Sequence, residues 1–502
     1  MSDRLKWCLA FAAVFAAGAF AVFYGTWSLD VVPIMPDDAM FHPGTYADFV
    51  ARWWDKLVRE WRLHPAEPLF GGLIISPYFC QELKYAVAWF SAATALAWFL
   101  RGRGLTLPAA LSGGLFLGFC GYWTTLFSAG HAGWFQWMTT GVFAFGFVDR
   151  AVRFNRLRYW LGLALCVAWA GYFQQDLWLL FTLFTIAYFI RSCWRERRIP
   201  WRGALLAAAV FLVVDIPGIR ESLKAVAGRE KQIEESKGGA LTGGKAGEKG
   251  EDKAARWIFV TNWSLPLDET AEFLVPRLNG DTSCPLSLSI AATQGQDLKP
   301  YTGALGRPIE AKSGNYRQHS LYVGFITCLF ALLGIVFHRR DREVWFFATA
   351  ALVTYLLSLG RYCEPVYRLI FALPVGDLIR CPVKWHHLTE FSLCVLAGFG
   401  VEAALDFAKR FGKGGSIAVL AVVLLGVADL VYHDSKYCVP LDVRRARELK
   451  CGAELTVLRR QDFQNPQVAE MVRRGLIVSV ANYLGNPDLF LVEVLNQKSS
   501  KR

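Results

Sequence analysis

The chain alternates between long apolar runs and shorter polar connections. A membrane-spanning helix needs about 20 mostly apolar residues, and eleven segments approach that length. They are 7–25, 84–100, 108–128, 132–148, 157–173, 177–190, 203–219, 319–337, 343–360, 388–405 and 415–432. The pattern predicts an all-α polytopic membrane protein with about 11 transmembrane helices.

The polar connections alternate in charge, which predicts an orientation. If Arg4 and Lys6 lie in the cytoplasm, every second connection should be basic. All five are, and their basic residues are Arg101 and Arg103; Arg150, Arg153, Arg156 and Arg158; Arg191, Arg195, Arg197, Arg198 and Arg202; Arg339, Arg340 and Arg342; and Lys409, Arg410 and Lys413. The short opposite connections 128–131 and 174–176 contain neither Lys nor Arg. We therefore expect a cytoplasmic N-terminus and an extracytoplasmic C-terminus.

This topology divides the chain into a transmembrane domain, 1–432, and a short extracytoplasmic tail, 433–502. Two long extracytoplasmic loops, 26–83 and 220–318, interrupt the transmembrane domain. The charged, glycine-rich stretch 228–256 is predicted to be mobile. Segment 7–25 also fits a cleaved signal peptide, although its length favours a retained anchor.

The first long loop contains a candidate interfacial helix. Phe49, Trp53, Leu57 and Trp61 recur every four residues between charged positions. This spacing is typical of an amphipathic helix that lies in the membrane interface. The tail contains one mixed helical stretch and a strand-like run that begins at Leu476.

The amino-acid composition limits the classes of partner that this protein is expected to bind. The chain is 54% hydrophobic and 15% aromatic, and its net charge of +12 comes largely from the connections between apolar runs. A membrane lipid partner is therefore expected, and nucleic acid is not. Phosphate-loop, dinucleotide-binding, zinc-protease and serine-hydrolase motifs are missing from the sequence, which disfavours nucleotide-driven transport and serine hydrolysis.

Six of the twelve cysteines fall in predicted extracytoplasmic parts. Cys363 and Cys381 share one loop and are the first pair to test for a disulfide, since an oxidising compartment would permit one. The alternative is that the thiols are unpaired and pack with apolar side chains.

Acidic and polar side chains gather at predicted outer helix ends. Asp37 and Asp38 follow the first span, and two adjacent carboxylates can act as a general base or hold a divalent cation such as Mg²⁺ or Mn²⁺. The alternative is a solvated turn. His131 and Asp176 close the third and fifth spans on the same predicted side. A histidine bonded to backbone carbonyls and a helix N-cap are the structural alternatives for these two.

One outer connection breaks the charge rule. It contains Arg361, Arg368, Arg380 and Lys384. Basic residues outside oppose the topology signal, so we expect them to bind an anion, and a lipid phosphate is the natural candidate at that depth. The alternative is that the side chains extend to headgroups without binding a specific ligand.

Several stretches together resemble the YfhO-like family of bacterial membrane proteins, which looks like a branch of the GT-C glycosyltransferase superfamily. They are Ser128-Ala-Gly-His131, the run from Ser264 to Pro276 with Gly280 after it, His319-Ser-Leu-Tyr-Val-Gly324, the run from Leu359 to Arg368, Leu373-Pro374, and Arg380-Cys-Pro-Val-Lys384. They occur in the family's order over most of residues 1–432.

The resemblance implies a GT-C-like bundle in the bacterial inner membrane that transfers a sugar from a polyprenyl-phosphate donor to a glycan, lipid or protein acceptor. It also implies an essential acid in the first outer loop, which matches Asp38 first and Asp37 second. Arg380, Lys384 and Arg361 would then neutralise the departing lipid phosphate. His131 and Asp176 would shape the acceptor pocket or assist a metal. The rival hypotheses are a non-enzymatic lipid-binding or envelope-assembly protein and a transporter or flippase.

Overall fold

The structure is a computed structural model, and it describes most of the chain in sixteen separate stretches. These are residues 2–24, 31–33, 77–129, 132–170, 175–215, 249–284, 287–288, 291–292, 294–306, 317–373, 379–442, 453–459, 462, 465–473, 477–482 and 489–495. The predicted interfacial helix at 45–61 lies outside these residues.

Every apolar segment identified in the sequence contains a helix. The α-helices described up to Ser435 are, in chain order, α1 Asp3–Val22, α2 Pro77–Gly102, α3 Leu107–Gly118, α4 Gly121–Thr125, α5 Ala132–Phe154, α6 Leu157–Ala170, α7 Gln175–Glu196, α8 Trp201–Val214, α9 Lys249–Val260, α10 Phe325–Phe337, α11 Arg342–Ser358, α12 Glu364–Phe371, α13 His386–Ala408 and α14 Gly412–Ser435. The helical class is thus confirmed for this part of the chain.

Three helical stretches of the described chain are long and apolar enough to cross a membrane: Asp3–Val22, Asp176–Glu196 and Pro382–Ser435. A fourth results if α11 and the segment Gly360–Phe371 are one span, although the two are bent by 110°. Four further helices are apolar but shorter. A membrane protein is therefore compatible with the helices, and the full set of eleven spans stays a prediction.

The helices run between two ends of one bundle. α7 has 22 residues and is about 33 Å long at 1.5 Å per residue. Its first turn contains Asp176, which contacts Lys384, and its last turn contains Arg195, which contacts Glu343. We call the end with Asp176 and Lys384 the loop end, and the end with Arg195 and Glu343 the arginine end. Between them pack aromatic side chains such as Phe145 and Phe391, whose ring centres are 4.9 Å apart.

Two carboxylates organise the arginine end. Asp149 Oδ1 lies 2.8 Å from Arg103 and 3.0 Å from Arg195. Glu343 Oε2 lies 3.2 Å from Arg195 and 3.6 Å from Arg191, and its Oε1 accepts a 2.5 Å hydrogen bond from Tyr188. Arg103, Arg191 and Arg195 come from two connections that the sequence predicts to be cytoplasmic, and they share these two carboxylates.

α13 and α14 form a helical hairpin. The 3-10 turn Lys409–Phe411 joins them. Asp434, near the end of α14, interacts with Glu390 in the first turns of α13. Since the two residues are 44 positions apart in sequence, they could not interact if the helices continued in one line. The long apolar stretch Pro382–Ser435 therefore contains two helices that lie side by side.

Two predicted spans differ in extent from the helices that form. Segment 108–128 is interrupted at Phe119 and Cys120, between α3 and α4. Segment 319–337 becomes helical only at Phe325, because Gly324 has φ of +98° and the residues before it are extended. The extended stretch fills the interruption, where the Gly121 N–H donates to the Tyr322 carbonyl at 2.9 Å. Hydropathy does not distinguish these residues from helix.

The described strands are short and peripheral. β1, Val31–Pro33, pairs antiparallel with β2, Pro440–Asp442, which joins the first long loop to the tail. In the tail, β3 Ala453–Arg459, β4 Ile477–Asn482 and β5 Leu489–Leu495 form an antiparallel sheet in the order β3-β5-β4, with helix α15 Pro466–Arg473 before β4. The strand-like run predicted in the tail is confirmed as β4, whereas the other two strands of the sheet, β3 and β5, were not predicted.

The second long loop packs on the loop end. Its predicted mobile stretch 228–256 lies mostly outside the described residues, but Lys249–Arg256 form the first turns of α9. Trp257 in the same helix packs against Tyr367 and Phe371, and the mobility of the stretch stays a prediction. Gln294 from the same loop donates a 2.7 Å hydrogen bond to the Pro440 carbonyl. All three predicted outer segments thus have residues that contact one another.

Candidate functional site at the loop end

Four of the seven predicted site residues are described, and all four lie at the loop end. Asp176 and Lys384 contact each other directly, and Arg361 and Arg380 contact Thr261 and Phe259, at the end of α9. Asp37, Asp38 and His131 lie outside the described residues. That all seven share one face therefore stays a prediction.

Lys384 and Asp176 form a buried ion pair across 208 positions of sequence. Their side chains are 3% and 2% exposed. Asp176 lies in the first turn of α7, where its Oδ1 also accepts a 3.0 Å hydrogen bond from the Leu177 N–H, in keeping with the predicted helix-end role. Lys384 belongs to the 3-10 turn Pro382–Trp385 before α13. The Lys384 charge is neutralised by Asp176, so the pair fixes the turn against α7.

Arg361 is oriented by backbone groups of the second long loop. Its Nε and Nη2 donate to the Thr261 carbonyl at 3.1 and 2.5 Å, and its N–H donates to Ser264 Oγ at 3.1 Å. Gly360 before it has φ of +50°, and a Cβ there would lie 2.1 Å from Ser264 Oγ. Only glycine fits this approach without displacement, so residue 360 helps to set the direction of the Arg361 side chain.

Arg380 lies against the same segment from the other side. Its guanidinium carbon is 5.8 Å from the centre of the Phe259 ring. The next residue, Cys381, donates its N–H to the Val260 carbonyl at 3.0 Å. The Nε atom of Arg380 is buried and makes no hydrogen bond within the described chain. An unsatisfied charged donor is costly to bury, so its position suits an anionic acceptor.

We call Arg361 and Arg380, with Phe259 and Thr261 between them, the arginine corner. Both side chains are half-buried. Among the described residues, neither has a carboxylate within 4.0 Å. The neighbouring Arg368 differs, since it is exposed and its Nη2 lies 2.5 Å from Glu364. The arginine corner is therefore a pair of positive charges that this part of the chain does not neutralise.

A buried ion cluster supports the loop that forms this corner. Arg317 contacts both Glu269, at 3.0 Å, and Glu272. Although burial alone lowers the pKa of Arg317, Glu272 and Glu269 raise it above its usual value. Glu269 also accepts from the Tyr301 hydroxyl at 2.6 Å and from the Leu305 N–H at 3.0 Å. These bonds join the segments 269–272 and 301–305 to Arg317.

Burial is the largest cause of the raised pKa of Tyr301 beside this cluster. Tyr301 therefore stays a neutral hydroxyl that donates to Glu269. Its ring also lies under Arg317, whose guanidinium carbon is 4.2 Å from the ring centre. We assign the cluster a structural role, since its charges face one another.

Sequence analysis missed a second polar group at the loop end. His386 and His387 begin α13, and their rings flank Tyr122 at centroid distances of 5.4 and 4.4 Å. His319 lies on the same ring at 5.0 Å. The sequence placed His386 and His387 beside Lys384, yet only the fold shows that Tyr122, 264 positions away from His386, completes the group.

The predicted disulfide and the predicted metal site can both be compared with the structure. Cys363 and Cys381 are free, which agrees with the unpaired alternative rather than with the disulfide. Within the described stretches, no group of three or more His, Cys, Asp or Glu side chains could hold a metal ion. A site that involves Asp37 or Asp38 lies outside those stretches.

The stretches that carry the family resemblance pack against one another. The Leu265 N–H donates to the Ser358 carbonyl at 2.9 Å, and Val323 N–H to Phe273 at 3.1 Å. Thr125, just before the run that ends at His131, accepts from the Ser320 N–H at 2.7 Å. Comparison of the chain with family models, curated proteins and solved structures finds no match. Family membership therefore stays a prediction.

Proposed function

We propose that this protein is a membrane glycosyltransferase that transfers a sugar from a polyprenyl-phosphate donor to an extracytoplasmic glycan, lipid or protein. In this proposal the chain crosses a bacterial inner membrane about eleven times in a GT-C-like bundle. The N-terminus is cytoplasmic, and the loop end faces outward.

The separation of charges between the two bundle ends supports this orientation. The basic residues Arg103, Arg191 and Arg195 gather at the arginine end with their two carboxylates. Residues of all three predicted outer segments meet at the other side, as in the pairing of Val31–Pro33 with Pro440–Asp442. Basic connections concentrate on the cytoplasmic side of membrane proteins, so the arginine end is assigned to the cytoplasm.

The arginine corner is the observation that carries the proposed substrate class. Arg361 and Arg380 come from opposite ends of one loop and lie on the same segment, Phe259–Thr261. Guanidinium groups bind phosphate through several parallel hydrogen bonds. A lipid phosphate held there would occupy the charge that no described carboxylate neutralises.

In the proposed reaction, the arginine corner stabilises charge that develops on the departing lipid phosphate. Asp38, or Asp37, accepts the proton of the acceptor hydroxyl. Lys384 contributes less to phosphate binding than the two arginines, because Asp176 already neutralises it. The Lys384–Asp176 pair instead fixes the turn that follows Arg380. His131 remains a candidate for the acceptor pocket, with Mg²⁺ or Mn²⁺ as a candidate aid to Asp37 and Asp38.

The test measures sugar transfer and donor binding separately in lipid vesicles that contain the purified full chain. Asp38→Asn and Asp37→Asn are assayed singly with native polyprenyl-phosphate sugars. We expect one of them to lower transfer by at least about 100-fold, the range of a lost general base, with donor binding retained. Arg361→Gln and Arg380→Gln should each weaken donor binding about tenfold or more, since a charge-assisted hydrogen bond contributes roughly 1.5–3 kcal/mol.

Arg368→Gln is the matched control for the arginine variants, because Arg368 lies in the same loop but is paired with Glu364. It should bind the donor normally. Full transfer by both aspartate variants would overturn the enzymatic proposal. If the arginine variants still lost binding, the lipid-binding alternative would be supported, and substrate accumulation across the vesicle membrane would support the transporter.

A further inference from the structure

Three buried titratable side chains meet where α13 begins and α14 ends. His386, Glu390 and Asp434 are each 0% exposed. His386 Nε2 lies 3.4 Å from Glu390 Oε1, and Asp434 interacts with Glu390 from the opposite helix of the hairpin. We call these three residues the acid-histidine cluster. It is separate from the arginine corner and from the cluster around Arg317.

Most polar atoms of the acid-histidine cluster make no hydrogen bond within the described chain. These atoms are His386 Nδ1 and Nε2, Glu390 Oε2, and both carboxyl oxygens of Asp434. Glu390 Oε1 alone accepts a bond, at 3.2 Å from the Tyr122 N–H. A buried ionised carboxylate without donors is several kcal/mol less stable than in water, on the order of the penalty for a buried ion. Two such carboxylates cannot both be ionised cheaply at this place.

Burial is the main factor that favours a protonated Asp434 carboxyl group. The Thr124 hydroxyl lies next to Asp434, and a hydrogen bond from it would favour the ionised form. The same hydroxyl also lies 3.0 Å from the Cys120 carbonyl and 3.2 Å from the Gly118 carbonyl. These carbonyls compete for its single proton, so burial outweighs this hydrogen bond.

The described titratable groups around the cluster carry no strong positive charge. The titratable groups that face it are Cys120, Tyr122, Cys328, His387, Cys394 and Asp429. This set contains no Lys or Arg, and the guanidinium of Arg317, which acts on Tyr122, is bound by Glu269 and Glu272. A proton is therefore the ligand that balances the two carboxylates.

We infer that the acid-histidine cluster is a proton-binding site in which Asp434 holds a proton at neutral pH and Glu390 faces His386. The site lies at the loop end, where His386 follows Lys384 by two residues. It does not depend on the proposed sugar transfer, because the argument uses only the burial and the bonding of these side chains. Buried ionisable groups inside helical membrane bundles commonly mark proton-linked functions.

Infrared difference spectroscopy on the purified full chain in lipid vesicles tests this site. A protonated carboxylic acid has a C=O stretch well separated from that of a carboxylate. At pH 7, about three units above the usual aspartate pKa of ~3.9, the wild type should show such a band. Asp434→Asn should lose it. Asp406→Asn is the control, since Asp406 is exposed and is paired with Lys409 at the opposite end of α13.

A wild-type spectrum without a protonated carboxyl band at pH 7 overturns the inference, and this result does not require any variant to fold. A band that persists unchanged in Asp434→Asn also overturns its assignment to Asp434. Glu390→Gln gives a second reading. The Glu390 carboxylate favours the protonated form of Asp434. Its removal should therefore make the Asp434 band disappear at a lower pH than in the wild type, and an unaltered titration would contradict the coupling.

Discussion

At the arginine end, Asp149 and Glu343 each contact at least two guanidinium groups. At the loop end, Arg361 contacts a carbonyl and Arg380 an aromatic ring, and neither contacts a carboxylate of the described chain. Both ends are built from helix termini and the connections between them. They differ in whether the protein itself neutralises the charges that it buries.

This difference teaches which charges serve the fold. Charges with several protein partners restrain four helices at the arginine end, because Asp149 and Glu343 join connections that are far apart in sequence. Charges left without protein partners raise the free energy of the folded state unless a ligand or proton compensates them. Buried charges without protein partners are expected mainly at functional sites. The loop end is therefore where we expect binding.

The largest effect should come from breaking the arginine end. Glu343→Gln removes the carboxylate shared by Arg103, Arg191 and Arg195, which leaves partly buried positive charges facing one another. We expect the free energy of unfolding to fall by about 4 kcal/mol, within the range for a broken buried pair. Denaturant unfolding in detergent micelles measures it.

Glu196→Gln is the control for Glu343→Gln. Glu196 contacts Arg195 at 2.9 Å but is 31% exposed, so its removal should change the free energy of unfolding by less than about 1 kcal/mol. If the two variants lost equal stability, the shared carboxylate would not be what holds this end together.

A smaller loss of stability should follow from breaking the Lys384–Asp176 ion pair at the loop end. Lys384→Met leaves Asp176 buried without its ammonium partner, and we expect a loss of roughly 3 kcal/mol in the free energy of unfolding. Adding Asp176→Asn should restore most of that loss. The double-mutant cycle isolates the pair. A Lys384→Met variant that keeps its stability but loses lipid-phosphate binding would instead make Lys384 a direct ligand.

The smallest effect should come from an exposed pair near the loop end. Asp297 is 66% exposed, and its hydrogen bond to Arg277 lowers its pKa. A lowered pKa stabilises the folded protein above the usual aspartate pKa, and this contribution disappears as the pH falls through the lowered value. Asp297→Asn should therefore cost less than about 1 kcal/mol at pH 7 and nothing in strong acid.

Parallel unfolding curves of wild type and Asp297→Asn at both pH values check this expectation. Asp297 lies in the same outer loop as the buried Glu269 but is itself exposed. Its variant therefore shows whether the loss of stability depends on burial or on position in the loop. A large loss at pH 7 would mean that position in the loop, rather than burial of the partners, governs the energy.

Much of the fold could be predicted from local patterns. Apolar runs located the helices, and basic connections predicted the gathering of Arg103 and Arg195 at one end. The interruption at Phe119 was not predicted, since the stretch around it is as apolar as a continuous span. It depends on residues near Tyr322, whose backbone bonds to Gly121 across about 200 positions. Strands β3 and β5 were missed for a related reason, because strand pairing is a non-local contact.

The candidate site was predicted in part. The sequence pointed to Arg361 and Arg380, because arginine is unusual in a connection that is predicted to be extracytoplasmic. The pairing of Lys384 with Asp176 was not foreseen, because a list of charged residues does not say which of them meet. Glu390 and Asp434 had no sequence signal beyond being acidic residues in apolar surroundings.

The sequence by itself determined the helical class and predicted which connections are basic and lie on one side. Both follow from the apolar length and the charge of each segment taken separately. Only the tertiary structure decided which charges are neutralised. Compensation requires two groups within about 4 Å, and that distance is set by how helices pack rather than by the order of residues. Asp434 and Glu390 therefore became a candidate proton site only when the hairpin of α13 and α14 closed.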